Sequence, residues 1–159
     1  MTNLKDVVVQ KLETIGINIH DMAKIVYKLQ KKYYKDLNYQ ECYDAIDKIL
    51  SKREVIHTIL TGYSLDRLAE ENKLEKNIND IIINDDSRYG IDEILSLSIV
   101  NIYGSIALTN FGYLDKVKPS VIGKLDKIGK EKEKCHTFMD DIISAIVASG
   151  CSKIAHSQK

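Results

Sequence analysis

Apolar residues return every three or four positions along almost the whole chain, and a single proline, Pro119, interrupts them. That spacing puts apolar side chains on one face of a 3.6-residue helix, while interior prolines, which would break such helices, are missing. Asn-Gly and Asp-Gly turns and alternating strand patterns are also lacking. The expected fold is all-α: a single-domain helical bundle of about 6–8 helices around a buried central apolar helix, covering residues 1–159. A chain of 159 residues suits one domain and buries a core without disulfide or metal staples.

Val8, Leu12 and Ile15 predict a first helix that stops at Gly16. His20 and Asp21 open a second, with Met22, Ile25, Val26, Leu29 and Tyr33 on its face. Tyr39 to Leu50 is a third. Ser51 to Leu68 is a fourth, opened by a Ser51/Glu54 capping box and facing inward with Val55, Ile59, Gly62, Leu65 and Leu68. Leu74 to Ile83 is a shorter one, and Asn84–Ser87 is a turn. Ile91 to Leu108 is apolar nearly all round, which predicts one long helix buried on most sides. Gly112 to Pro119 is expected as a loop, Ser120 to Lys127 as a short helix and Gly129 to Lys134 as a charged turn. Thr137 to Ala155 is the last long helix, on which Asp141, Ala145, Ala148 and Ser152 form a stripe that admits a close neighbour.

With 23 basic and 23 acidic residues the formal charge is zero, which gives no basic surplus for nucleic acid. Cys42, Cys135 and Cys151 are odd in number and far apart, which predicts free thiols in a reducing, cytoplasmic setting. A spanning helix needs roughly 20 mostly apolar residues, and no such run is free of Asp, Glu, Ser and Asn. No transmembrane segment is expected. An almost wholly apolar helix in a small domain gives a reason to expect a homo-oligomer.

Both long apolar segments begin with paired acids, Asp92/Glu93 and Asp140/Asp141. Carboxylates set among apolar residues are costly unless paired or bound to a cation, and oxygen donors of this kind suit magnesium. Acids in a first turn also complement the helix dipole, and Thr137 with Asp140 has capping-box spacing. From the pattern alone, capping and a metal site both stand. Between the pairs, Asp115 offers a further ligand or base, and Lys116 and Lys118 offer charge for phosphate oxygens; a solvated loop with three charges is the alternative. His136, just before the last helix, is a candidate proton donor or an exposed residue. His20, His57, His136 and His156 have no zinc spacing, and no P-loop, GxGxxG or GxSxG is present.

Three stretches in order, Tyr89–Leu95 (YGIDEIL), Phe111–Pro119 (FGYLDKVKP) and His136–Ile142 (HTFMDDI), resemble the phosphatidylglycerophosphatase A family, which carries an Asp-Glu pair, a Phe-Asp-x-x-Lys-Pro type loop and a late Asp-Asp pair. Leu50–Val55, Leu60–Gly62 and Ser98–Ser105 extend the similarity toward its soluble branch in low-GC Gram-positive bacteria. The resemblance implies Mg²⁺-dependent removal of the terminal phosphate of phosphatidylglycerophosphate. Its acidic site residues would be Asp92, Glu93, Asp140 and Asp141, with Asp115, Lys116 and Lys118 beside them. The implied partner is a phosphorylated substrate, with a phospholipid headgroup reached by peripheral membrane contact as one form of it. A helical nucleotide pyrophosphohydrolase, whose acids usually fall in ExxE and ExxD pairs, and a non-enzymatic interaction module are the rival functions.

Overall fold

The computed structural model describes residues 3–131 and 134–158. Among them nine helices and no strand are present: α1 (Leu4–Thr14), α2 (Ile19–Gln30), α3 (Tyr39–Ile49), α4 (Arg53–Glu70), α5 (Lys76–Ile83), α6 (Ile91–Tyr103), α7 (Ser105–Val117), α8 (Val121–Lys130) and α9 (Met139–Ser157). The all-helical expectation holds, with more helices than the six to eight expected.

Three helices, α1, α2 and α3, start where a side chain takes free backbone donors of the first turn. Asn18 and Asp21 form a capping box on α2, and Asn38 and Glu41 form another on α3. The Ser51/Glu54 box does not form: α4 is capped at Lys52 without a side-chain bond, and the Ser51 hydroxyl donates to the Asp47 carbonyl.

The buried central helix exists, but it is α9. It packs against α2, α3, α4, α6, α7 and α8, and fifteen of its nineteen residues are buried. Asp141, Ala145, Ala148 and Ser152 are all among them, as the small-residue stripe predicts. Gly150 lets α2 and α3 approach: a Cβ there would stand 2.8 Å from both Val26 Cγ2 and Ile46 Cδ1. Gly62 does the same for α4, since a Cβ there would run into the Ile142 side chain.

The segment Ile91 to Leu108 is not one buried helix. Gly104, at φ +86°, breaks it into α6 and α7, a conformation open to glycine and costly for other residues. Ile94 is 61% exposed and Leu108 53%. The expected loop Gly112–Pro119 is largely the end of α7, with only Lys118–Ser120 connecting to α8. Leu65 is only partly buried and Leu68 is exposed; the inner stripe of α4 continues from Gly62 through Asp66 and Ala69 instead. Part of the expected turn Gly129–Lys134 lies outside the described residues; of the rest, Gly129 and Lys130 complete α8.

The broken segment sets up the site. Asp92 and Asp141, in the first turns of α6 and α9, are neighbours, and eleven residues further along each helix the Ser152 hydroxyl donates to the Tyr103 carbonyl at 2.7 Å. So α6 and α9 run parallel, as convergence of their acids in one chain demands. α7 returns antiparallel and brings Asp115 back to the same end.

Candidate active site

Gly90 opens α6 in the left-handed region (φ +68°) and puts Asp92 and Glu93 in its first turn. α7 ends at Lys118, itself left-handed at φ +48°, so the lysine folds back over the end of its own helix. α9 begins with Asp140 and Asp141, which are only 6% and 4% exposed. These starts and ends enclose a cavity of about 260 Å³ lined by Asp85, Asp92, Glu93, Asp115, Lys118, Asp140 and Asp141, among others.

Lys118 holds the acids together. Its Nζ donates to Asp140 Oδ2 at 3.0 Å and lies 3.5 Å from Asp115 Oδ1 and 3.7 Å from Asp126 Oδ1. Burial alone would lower its pKa, but Asp140, Asp126 and Asp115 outweigh burial and hold it above the ordinary lysine range. Burial pushes the Asp140 and Asp141 carboxyls up, with Lys118 opposing the shift at Asp140 and the Asp140 charge adding to it at Asp141. The neighbouring Asp92 and Asp115 carboxyls add to the upward push at Asp141. Glu93 and Asp85 are also pushed up, first by desolvation and then by neighbouring acids.

Oxygen donors crowded this way, with one lysine among them, fit the chemistry of a hard divalent cation. They do so as an open set: among the described residues no three His, Cys, Asp or Glu side chains stand as a ready ligand group. Asp92 and Asp115 instead adjoin Asp141 on the same cavity, where a bound cation would offset the crowding of their carboxyl oxygens.

Two candidates fall outside this cavity. Lys116 is exposed and does not line it, because neighbouring helical residues point about 100° apart and Lys118 takes the inward place past the end of α7. His136 is buried and lines a smaller cavity of about 120 Å³ with Asp85, Asp126 and Asp140. Its Nδ1 lies 3.5 Å from an Arg67 nitrogen. Burial, and then the Arg67 charge, push the imidazole down to about 4, so it stays neutral.

The Thr137/Asp140 capping box is absent; the Thr137 hydroxyl donates to the Ile82 carbonyl. The start of α9 is held from α4. Asp66 accepts from the Phe138 and Met139 amides at 3.0 and 2.9 Å. Glu70 accepts from the Cys135 amide at 3.1 Å, and Arg67 donates to the Cys135 carbonyl. Asp66, Asp85 and Asp126 are the functional-end residues that pattern reasoning missed. Asp66 had a signal, since it continues the Val55, Ile59, Gly62 stripe, where an acid needs a reason to be buried. Asp85 and Asp126 have none, because a turn and a short amphipathic helix are ordinary places for an aspartate.

A family model for phosphatidylglycerophosphatase A matches residues 8–156. The uncharacterized protein YpjQ of Bacillus subtilis (strain 168) is 46% identical over 159 residues, covering 100% of this chain and 88% of its own. A protein of unknown function from Bacillus stearothermophilus superposes with a TM-score of 0.94 at 46% identity, covering 100% of this chain and 98% of that one. The low temperature requirement C protein from Listeria monocytogenes does so with a TM-score of 0.93 at 44% identity, covering 98% and 97%.

Proposed function

The chain belongs to the phosphatidylglycerophosphatase A family, and on that premise we propose that it is a magnesium-dependent phosphomonoester hydrolase acting on the terminal phosphate of phosphatidylglycerophosphate. The observation that carries the proposal is the gathering of Asp92, Asp115, Asp140, Asp141 and Lys118 on one cavity from three different helices. Capping alone does not account for it. Asp140 and Asp141 are buried at a helix start whose Phe138 and Met139 amides Asp66 already satisfies.

Asp92, Asp115 and Asp141, with Asp140 and Glu93 beside them, would hold the magnesium. When bound, it supplies positive charge against the phosphate oxygens and lowers the pKa of the attacking water. Lys118 sits where a nonbridging phosphate oxygen can replace Asp140 as its acceptor, so the ammonium moves from balancing a carboxylate to balancing substrate. A carboxylate of α9 takes one proton of the water as its oxygen adds to phosphorus and the ester P–O bond breaks, and that proton passes on to the departing glycerol oxygen. Asp66, Arg67 and Glu70 act one layer back, fixing residues 135–139 and with them the register of the two acids. Among the described residues no helix is long and apolar enough to cross a membrane, so a lipid substrate would be met at the bilayer surface or as a monomer.

The test is phosphate release from phosphatidylglycerophosphate in mixed micelles, with and without Mg²⁺, for wild type and Asp141→Asn. Release that needs Mg²⁺ and disappears in the variant supports both site and substrate. Release from soluble phosphomonoesters alone keeps the site and discards the lipid. Cleavage confined to nucleoside triphosphates points to the pyrophosphohydrolase. No turnover on any of these by folded protein overturns the hydrolase.

A further inference from the structure

The hairpin of α6 and α7 is the least polar outer surface of the molecule. Residues 94 to 114, twenty-one in a row, contain no Asp, Glu, Lys or Arg, in a chain where 29% of residues are charged. A run like that belongs in an interior, and in α9 it would be buried. Here it is not. Fourteen of the twenty-seven residues from 91 to 117 are exposed, and only two of the fourteen, Glu93 and Lys116, carry charge. Both stand at the end beside the acidic cavity. Of the eleven large hydrophobic residues exposed among the described residues, six (Ile91, Ile94, Ile102, Leu108, Tyr113 and Val117) lie on this one hairpin.

A concentration of exposed apolar side chains marks a surface that something covers. The charge pattern says what. A nucleic acid or an anionic bilayer is met by lysine and arginine; away from its cavity end the hairpin itself exposes neither, and of the lysines beside it, Lys24 and Lys28 stand on α2 and Lys32 just past its end. A second copy of the chain needs no charge complement. In a two-fold contact the same patch meets itself, so any charge on it faces a like charge unless an opposite one is placed to match. A face free of charge meets that condition without matching. Self-contact also requires projections and recesses on the same molecule. Ile94 and Leu108 project, and a cavity of about 550 Å³ lies alongside, bounded by Ile106 and Tyr113 of α7, by Leu29 of α2 and, just past the end of α2, by Tyr33 and one charged residue, Lys32.

We propose that the α6–α7 hairpin is a dimer interface, its uncharged outer face packing on the same face of a second copy. Neither the acidic cavity nor its chemistry enters this inference, and a failed phosphatase assay would leave it standing.

Light scattering on purified protein over a range of micromolar concentrations tests it, with wild type, Ile94→Lys, Leu108→Glu and Ile78→Lys. Ile78 is an exposed hydrophobic on α5, away from the hairpin. Wild type and Ile78→Lys are expected at twice the chain mass of 18.1 kDa. Ile94→Lys and Leu108→Glu are expected as monomers, with association weakened roughly tenfold or more. All four should melt cooperatively, since each changed side chain is solvent-exposed in one copy. A dimer that survives both hairpin substitutions overturns the proposal. So does a wild-type monomer, whether free or recovered with phosphatidylglycerol vesicles.

Discussion

Helices α6 and α9 share a plan. Each opens with two acids, continues as an apolar helix and runs parallel to the other from the same end of the molecule. Yet α9 is buried along most of its length, while α6 is buried on one side only. Size, not hydropathy, separates them. Between Ile142 and Ile154, α9 carries Ser144, Ala145, Ala148, Ser149, Gly150 and Ser152, which let neighbours close in on every side. α6 carries Ile and Leu on all its faces, more bulk than a fully surrounded helix can hold. A central helix in a small bundle must be thin before it is greasy. The acids follow the same division: Asp140 and Asp141 are out of water, whereas Glu93 is exposed and Asp92 half-buried.

If the division carries over to chemistry, the two acid pairs are unequal, and that gives the largest expected effect. Asp141→Asn should lower Mg²⁺-dependent phosphate release by about 10²–10³-fold or more. Glu93→Gln, at the exposed side of the cavity, should lower it by no more than about tenfold. Equal losses in kcat/KM would mean that the exposed pair works as hard as the buried one, and the asymmetry would be structural only. The packing contrast predicts the next effect. Gly150→Val forces branched carbons against Val26 and Ile46 and should cost about 1–3 kcal/mol in urea unfolding, with loss of folded yield at the upper end. An unchanged midpoint would show that α2 and α3 are free to step back.

The same contrast explains what the amino-acid sequence revealed and what it hid. Helical periodicity identified most of the helices, and the motif order identified the acids of α6, α7 and α9 as one group. Hydropathy points to Ile91–Leu108 as the central helix, and nothing in the amino-acid pattern marks Gly104 as the break at φ +86° that divides it. Lys116 and Lys118 could not be told apart, because which one turns inward depends on where α7 stops. The clamp from α4 was invisible as a clamp: Asp66, Arg67 and Glu70 lie about seventy residues from the amides and carbonyl they hold.

That clamp supplies the third prediction. α6 is opened by Gly90 with no side-chain cap, whereas α9 depends on Asp66. Asp66→Asn keeps the shape but offers one acceptor oxygen where the carboxylate offers two. One of the Phe138 and Met139 amides is left without a partner, at about 1–3 kcal/mol. Because Asp140 and Asp141 follow directly, kcat should fall while KM changes little. A loss of stability with unchanged kcat would make Asp66 a cap and nothing more.

A smaller effect comes from His136, on the α9 side of the comparison. Burial and Arg67 push it down to about 4 from an ordinary 6.5. Its folded pKa is below its unfolded one, so its contribution is complete above pH 6.5 and is lost as pH falls toward 4. The melting temperature of wild type should therefore drop more between pH 7 and pH 4.5 than that of His136→Asn. Parallel curves would mean that the imidazole takes its proton without cost.

The smallest effect is a gain, and it is the mirror of Gly150. Gly112 lies in α7 on the exposed hairpin face, with an ordinary helical φ and nothing within 4 Å of where a Cβ would stand. Glycine inside a helix is less favourable than alanine by about 0.5–1 kcal/mol, because it has more freedom to lose on folding. If α7 is a surface helix in the single chain, Gly112→Ala should raise unfolding free energy by about that amount. The measurement belongs in the Ile94→Lys background, where association is expected to be absent. There the substitution reports on helix propensity alone. In the wild-type background the added methyl enters the proposed interface, and tight packing there would cancel the gain. A gain in the Ile94→Lys background that vanishes in wild type would put Gly112 at the contact. A gain of equal size in both would leave the face of α7 open around that residue, and the two-fold contact would have to lie nearer Ile94 and Leu108.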